Sequence, residues 1–257
     1  MMKKRFDTYD AEELEVLKEG GKILHDILQD GKKLFVVGKT TGEIDKEVEK
    51  MIAERGAEPA FKNYTPHGAG YPYPNVSCIS INEEVTHGVP GDRIVRDGDL
   101  VSLDVGIRHK GLVLDAAISF GVGNISEKEK KLLEVGERAL SVALDQVKSN
   151  IYTNDIGKAT EKYVRSQGMR VVYELCGHGV GRKVHSDPYI PHIDLGKKGD
   201  QLHEGMVIAV EPHITYGSGK IHLKKGNDYT LYAGDGAKAV QFEHTVYIDK
   251  DGPIILT

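Results

Sequence analysis

"LVSLDVGIRHKGLVLDAAISF", residues 100–120, decides how this chain folds. Two β-branched, apolar runs flank a short polar turn, a pattern that predicts a β-hairpin. Each run holds an acid: Asp104 between Leu103 and Val105, and Asp115 among Leu112, Val113, Leu114 and Ile118. A two-residue turn at His109-Lys110 would set Arg108 against Gly111. Asp104 would then lie directly opposite Asp115, with Cβ atoms about 4.5–5.5 Å apart. Two like charges at about 5 Å repel by roughly 3 kcal/mol at an effective dielectric near 20, and desolvation adds to that. A shared proton, a cationic side chain or a metal ion must compensate. Arg108 is near in sequence but points outward at the turn, whereas further ligand-type residues lie elsewhere in the chain. A metal is therefore the stronger reading. The bland alternative is two aspartates on a solvated face.

Outward from the hairpin, helices are predicted over about 10–30, 42–55, 127–148 and 154–167. Asp10 with Glu13 and Ser126 with Glu129 offer capping boxes. Strands are predicted near 76–81, 100–107, 112–122, 171–175, 206–214 and 239–248. The order helix, helix, strands occurs twice, and the letters repeat as well. "TGEIDKEVEKMIAERG" (41–56) aligns without gaps with "TNDIGKATEKYVRSQG" (153–168), and "DGDLVSLDVGI" (97–107) aligns with "EGMVIAVEPHI" (204–214). Glu43 then faces Asp155, and Asp104 faces Glu211. Two matches in the same order favour duplication over chance, with halves of about 1–125 and 126–257. Clefts between such halves are favoured ligand sites.

More candidate ligands lie downstream. "CGHGVGRKVHSDPYIPH" (176–192) carries His178, His185 and His192, with glycines that let backbone approach closely around His178. Glu211 and Glu243 each sit inside a strong β run, where an unpaired acid is costly. Edge strands with the acid in water are the alternative. Asp104, Asp115, Glu211, Glu243 and one histidine supply enough charge for two divalent ions. An oxygen-rich set with one nitrogen suits Mn, Fe, Co or Zn. Two such ions would activate a water and steady an oxyanion, which predicts a dinuclear metal hydrolase.

Composition sets the frame. The chain has 257 residues, 39% hydrophobic and 28% charged, with a net charge of −5. That length buries a substantial core in one domain or two joined halves. The mild acidity argues against phosphate-backbone binding, so no nucleic-acid target is expected. No apolar run reaches a membrane span, and the first residues lack the apolar core of a secretory signal. The two cysteines, Cys78 and Cys176, form no disulfide framework, so a reducing cytoplasm is the expected compartment.

Six motifs together resemble the methionine aminopeptidase family, type I: "SCISINEEVTHGVPGDR", "DGDLVSLDVG", "LDAAISFGVG", "CGHGVGRKVHSDP", "EGMVIAVEP" and "QFEHTVYI". Each is weak alone; their order and spacing are specific, and the resemblance spans nearly the whole chain. It implies a single catalytic domain with the pita-bread fold. In this α/β (α+β) architecture, two pseudo-symmetric halves share a central curved antiparallel sheet flanked by helices. It implies two divalent metal ions (Co, Mn, Fe, Zn or Ni) held by Asp104, Asp115, His178, Glu211 and Glu243. Asp115 and Glu243 would bridge the ions, and Glu211 would also act as general base. His185 would contact the scissile amide and steady the tetrahedral intermediate, and His87 would hydrogen-bond the substrate. Cys78 matches a pocket cysteine, and Phe61, Tyr64, Tyr73 and Tyr229 are further candidates to line an apolar methionine site. Implied partners are nascent peptide N-termini and the ribosome near its exit tunnel, with the protein a monomer. Small second residues in the substrate are expected.

Two departures from the family pattern stand out. The loop "TPHGAGYPY" (65–73), which includes His67, is longer than usual at the pocket mouth, and Tyr229 stands where a tryptophan or other aromatic is common. Prolidase or aminopeptidase P activity is the main competing reading, and those enzymes usually carry a large preceding domain. The chain also shows no zinc-finger extension, an expectation that favours type I over type II. A non-catalytic binding protein on the same fold is the other alternative; such relatives have lost ligands that are present here.

Overall fold

The computed structural model describes residues 6–66, 68–224 and 226–257, so His67 lies outside the described residues. The chain opens with α1 (Ala11–Lys32) and α2 (Thr41–Glu54), then β1 (Glu58–Pro59), β2 (Ser77–Ile81), β3 (Glu84–Thr86), β4 (Leu100–His109) and β5 (Leu112–Gly121). It continues with α3 (Glu127–Leu144), α4 (Thr153–Ser166), β6 (Arg170–Val171), β7 (Cys176–Gly179), β8 (Ser186–Pro191) and β9 (Val207–Val210). It ends with β10 (His213–Thr215), β11 (Ile221–Leu223), β12 (Leu231–Ala233), β13 (Ala239–Gln241), β14 (His244–Asp249) and β15 (Gly252–Ile255).

Local chemistry fixes the helix starts. Asp10 with Glu13, Thr40 with Glu43 and Ser126 with Glu129 each close a reciprocal capping box. At α4 the Asp155 carboxylate accepts the Tyr152 amide at 3.0 Å, as Glu43 accepts the Thr40 amide at 2.8 Å. Helices α2 and α4 are both 14 residues long, and glycines with φ of +70° (Gly56) and +73° (Gly168) follow them. Gly98 and Gly205, which precede the Asp104 and Glu211 strands, both have φ of +86°.

All strand pairs are antiparallel. One sheet places β4 between β1 and β2, with β5 also paired to β4, and a five-stranded sheet runs β15-β14-β9-β7-β8. Two three-stranded sheets, β13-β10-β6 and β11-β12-β3, complete the layer. Helix α1 packs on β4 and β5, while α3 and α4 cover the other half. The largest apolar cluster lies under α1 and α2, around Leu17, Leu24, Ile44, Leu103 and Leu114. Among the described residues no helix is long and apolar enough to cross a membrane.

The hairpin forms, but not in the expected register. Its turn is Lys110-Gly111, with φ of +46° and +88°, and His109 faces Leu112. Both central residues need positive φ in a tight hairpin turn of this kind, which glycine in second place permits. Asp104 therefore faces Ala117 and Asp115 faces Gly106, so the two acids are diagonal rather than directly opposite. The shift moves each partner by two residues, so both side chains stay on the expected face. The run expected over 206–214 breaks between β9 and β10 at Glu211-Pro212, where proline has no amide to give the ladder. The run over 239–248 breaks between β13 and β14 at Phe242-Glu243, where Glu243 bridges to Ala117 of the other sheet. Both acids stand at the breaks.

Candidate metal centre and its cavity

The Glu243–Ala117 bridge joins the two main sheets, with the Glu243 amide donating to Ala117 O at 2.9 Å. Around that seam converge Asp104 from β4, Asp115 from β5, His178 from β7, Glu211 after β9 and Glu243 before β14, all buried. Asp115, His178 and Glu243 each offer one donor atom, and these atoms lie within 4.8 Å of one another. His178 Nε2 is 3.4 Å from Glu211 Oε1 and 4.0 Å from Asp115 Oδ2. His178 Nδ1 lies 3.0 Å from Gly179 O, so a proton there leaves the Nε2 lone pair facing the acids.

Three of the four buried carboxylates keep an oxygen that the described residues leave unsatisfied. Asp104 Oδ1, Asp115 Oδ1 and Glu243 Oε1 are buried with no hydrogen-bond partner among the described residues. The ion-pair partners of Asp115 and Glu211 are imidazoles, not lysine or arginine. Burial pushes the Asp104 carboxyl up to about 7, partly offset by hydrogen bonding with Asp115 and Gln241. Burial, then Glu243 and Asp104, raise Asp115 well above the carboxylate range; burial, then Asp115 and Asp104, do the same to Glu211. Burial with Glu211 and Asp104 raises Glu243. Burial, with His185 second, lowers His178 to about 3, which keeps it a neutral ligand. Unpartnered oxygens, mutual repulsion and a neutral imidazole are the donor set of a divalent cation site.

The cluster floors a cavity of about 90 Å³ that Phe61, Tyr64, Tyr73, Cys78, His87, His185 and Tyr229 also line. Phe61 lies over Gly106, where a Cβ would fall 2.3 Å from its ring. Tyr73 is buried, and its hydroxyl lies within hydrogen-bond range of Ser77 O and Gly88 O, at 3.0 and 3.1 Å. Its ring packs edge-on against Tyr229 at 4.9 Å. The longer loop closes at its base through Asn63–Tyr73 and Tyr73–Tyr64 backbone bonds. It is tied to the opposite turn by the Gly70 amide on Asp228 at 3.3 Å and by the Tyr229 hydroxyl on Tyr71 O. This folds Pro66 onto the cavity wall.

His87 has φ of +54°, a conformation uncommon outside glycine, and its carbonyl accepts from Thr230 Oγ1 at 3.3 Å. Burial, with His185 second, holds its imidazole down at about 4. His185 sits exposed at the mouth, its Nδ1 3.0 Å from the Tyr64 hydroxyl and its ring 4.4 Å edge-on from that of His178. Cys78 and Cys176 are both free.

Several neighbours were not singled out in the sequence. Thr245 Oγ1 accepts the Asp115 amide at 2.9 Å and donates to the Asp115 carbonyl at 2.7 Å. Gln241 Nε2 reaches Glu243 at 3.4 Å, and the Thr86 hydroxyl donates to Gln241 Oε1 at 3.1 Å. The Glu211 amide donates to His192 Nε2 at 3.2 Å, and His213 Nε2 lies 3.8 Å from Glu211 Oε2. His192 stood among the candidate histidines of 176–192 without a role, and Pro66 was visible only as a letter in a loop. Buried His213, next to Pro212, carried no local signal.

An antiparallel α/β scaffold with a buried acid–imidazole cluster beneath an apolar cavity defines a metal-dependent hydrolase. The chain belongs to metallopeptidase family M24, whose sequence profile matches residues 15–250. It is 39% identical over 245 residues to methionine aminopeptidase 1 of Bacillus subtilis, covering 95% of this chain and 96% of that one. The crystal structure of methionine aminopeptidase from Thermotoga maritima superposes with a TM-score of 0.92 at 34% identity, covering 98% of this chain and 99% of that one. The prolidase of Pyrococcus furiosus shares the fold, with a TM-score of 0.76 at 24% identity over 97% of this chain and 65% of its own.

Proposed function

We propose that this chain removes the N-terminal methionine from nascent proteins and peptides whose second residue is small. It is a metallo-aminopeptidase in which Asp104, Asp115, His178, Glu211 and Glu243 hold two divalent ions. The observation that carries this reading is the set of unpartnered buried oxygens on Asp104, Asp115 and Glu243 at the base of an apolar cavity. Divalent ions held there supply a water acidic enough to attack near neutral pH, and positive charge for the developing oxyanion.

The chain's own groups do the rest. Glu211, at the break after β9, takes a proton from the attacking water and passes it to the leaving amine. When the Tyr64 hydroxyl donates to His185 Nδ1, the ring proton sits on Nε2 and can hydrogen-bond the tetrahedral intermediate. Neutral His87, on the cavity wall, hydrogen-bonds the substrate amide. Phe61, Tyr73, Cys78 and Tyr229 surround the thioether, and a wider cleft that shares Tyr64, Pro66, His87, His178, His185 and Glu211 leaves room for the peptide body. Nascent chains in the cytoplasm are the substrates in this reading, with contact at the ribosomal exit and a monomeric enzyme.

A metal-dependent assay on Met-Ala-Ser, run with Co, Mn, Fe, Zn and Ni in turn, tests the reading. Methionine release with at least one ion, far faster than cleavage of an Ala-Pro peptide, is expected. Preference for the bond before proline overturns it in favour of a prolidase-type activity.

The Phe61 wall gives a second test. Gly106→Ala drives a methyl into the Phe61 ring, which must swing toward the methionine cavity. Such overpacking costs about 1–3 kcal/mol. KM for Met-Ala-Ser is expected to rise about tenfold, measured by steady-state methionine release.

A further inference from the structure

The segment 180–185 joins β7 to β8 as a run of bends and carries His185 at its end. Its first half is held by a residue far away in sequence. Tyr9, 4% exposed, donates its hydroxyl to Val180 O at 2.9 Å and accepts the Arg182 amide at 2.8 Å. Gly181 between them has φ of +120°, and a Cβ there would fall 2.2 Å from the phenol oxygen. The fit is therefore close enough to require glycine. The Arg182 guanidinium lies 4.9 Å over the Tyr9 ring and pairs with Glu13 at 2.8 Å.

Tyr9 is itself rigidly placed. The N-cap of α1 follows it, and its amide donates to Gly205 O at 2.8 Å. Gly205 lies just upstream of β9, the strand that leads into Glu211. Tyr9 therefore links the two through different groups: its hydroxyl holds the segment that ends at His185, and its backbone amide holds the turn before β9, beside the direct Val180 amide bond to Val207 O at 3.1 Å. Burial pushes this hydroxyl up to about 12, so it stays a donor throughout the working pH range.

We propose that Tyr9 is a positioning residue: its hydroxyl sets the course of segment 180–185 and so the placement of the His185 ring against Glu211. The inference rests on the role proposed above for His185. Phenylalanine would fill the same space but leave the Val180 carbonyl and the Arg182 amide without their partner. They regain one only if the segment moves or water enters. A shift of about 1 Å in a group that touches the reacting amide lowers turnover with little change in ground-state binding.

The test is a double-mutant cycle on the metal-loaded enzyme with Met-Ala-Ser. Tyr9→Phe is expected to lower kcat about tenfold with KM within twofold. In a His185→Ala background the same change is expected to cost less than twofold. An equal loss in both backgrounds overturns the inference, as does an unchanged kcat in Tyr9→Phe alone. Arg182→Ala, which removes the cation but keeps the amide, is expected to stay within twofold of wild type. A loss matching that of Tyr9→Phe assigns the effect to the cation and overturns the role of the hydroxyl. Hydrogen exchange of the wild-type protein adds a readout that needs no variant to fold. The Arg182 amide is expected to exchange at least 10³-fold slower than a free amide, and unprotected exchange overturns the clamp. A His185→Ala enzyme as active as wild type removes the role of His185 itself, and the inference falls with it. Additivity with His185 shown to matter overturns the inference alone.

Discussion

Glu211→Gln is expected to lower kcat for Met-Ala-Ser by about 10³-fold while the protein stays folded. General acid–base groups typically contribute 10²- to 10⁴-fold. Glutamine keeps the shape of the side chain and cannot take a proton from water at neutral pH. The backbone at this position keeps its hydrogen bond to His192 Nε2, and Pro212 still ends the ladder. The substitution also takes one acid out of a buried set whose members repel one another, so the metal-free fold is relieved of repulsion from Asp115 and Asp104. His213, 3.8 Å from the far carboxylate oxygen and held neutral by burial at about 3, is too poor a base to take over at working pH. Methionine release followed by chromatography, with circular dichroism melting as the control for folding, measures the effect. A kcat within tenfold of wild type would place the base elsewhere.

The chemistry at the seam was legible because it is written as violations. Asp104, Asp115, Glu211 and Glu243 stand out in strands where acids are costly, and all four line one cavity together with His178. Helix starts were legible because a capping box closes within four residues. The hairpin register was not, because two adjacent two-residue turns compete there. The choice between them depends on which pair tolerates positive φ; Gly111 settles it for Lys110-Gly111. The break at Pro212 could be read from the letters. The break at Glu243 could not, since it comes from a bridge to Ala117 in the other sheet. Thr245 and Gln241 escaped for the same reason: Thr245 clamps a residue 130 positions away. The cavity-lining aromatics came from family resemblance rather than from any local pattern. The matched devices at Thr40 and Tyr152, Gly56 and Gly168, and Gly98 and Gly205 lead us to propose that halves of about 1–125 and 126–257 descend from one duplicated unit.

Metal binding is expected to raise the stability of this fold measurably, and Asp115 to control that gain. With Co²⁺ or Mn²⁺ at 100 times its dissociation constant, ligation to the native state alone stabilises by about 2.7 kcal/mol. For a domain of this size that corresponds to a rise in Tm of roughly 5–10 °C. Asp115 is the strongest single lever for three reasons. Its Oδ1 has no partner among the described residues, its other oxygen lies 4.0 Å from His178 Nε2, and Thr245 holds its backbone on both sides, which fixes where the side chain starts. Asp115→Asn keeps that backbone clamp and the side-chain volume. It turns one acceptor into an NH₂ donor, which a cation cannot use, and removes a charge the cation needs. The metal-induced shift is expected to fall below about 2 °C at the same ion concentration, and kcat/KM to fall at least 10²-fold. Thermal melts with added ion, then with excess EDTA, measure the first; the Met-Ala-Ser assay measures the second. A full shift in Asp115→Asn would mean that the ion binds somewhere other than the sheet seam, and the four acids would then need another source of positive charge.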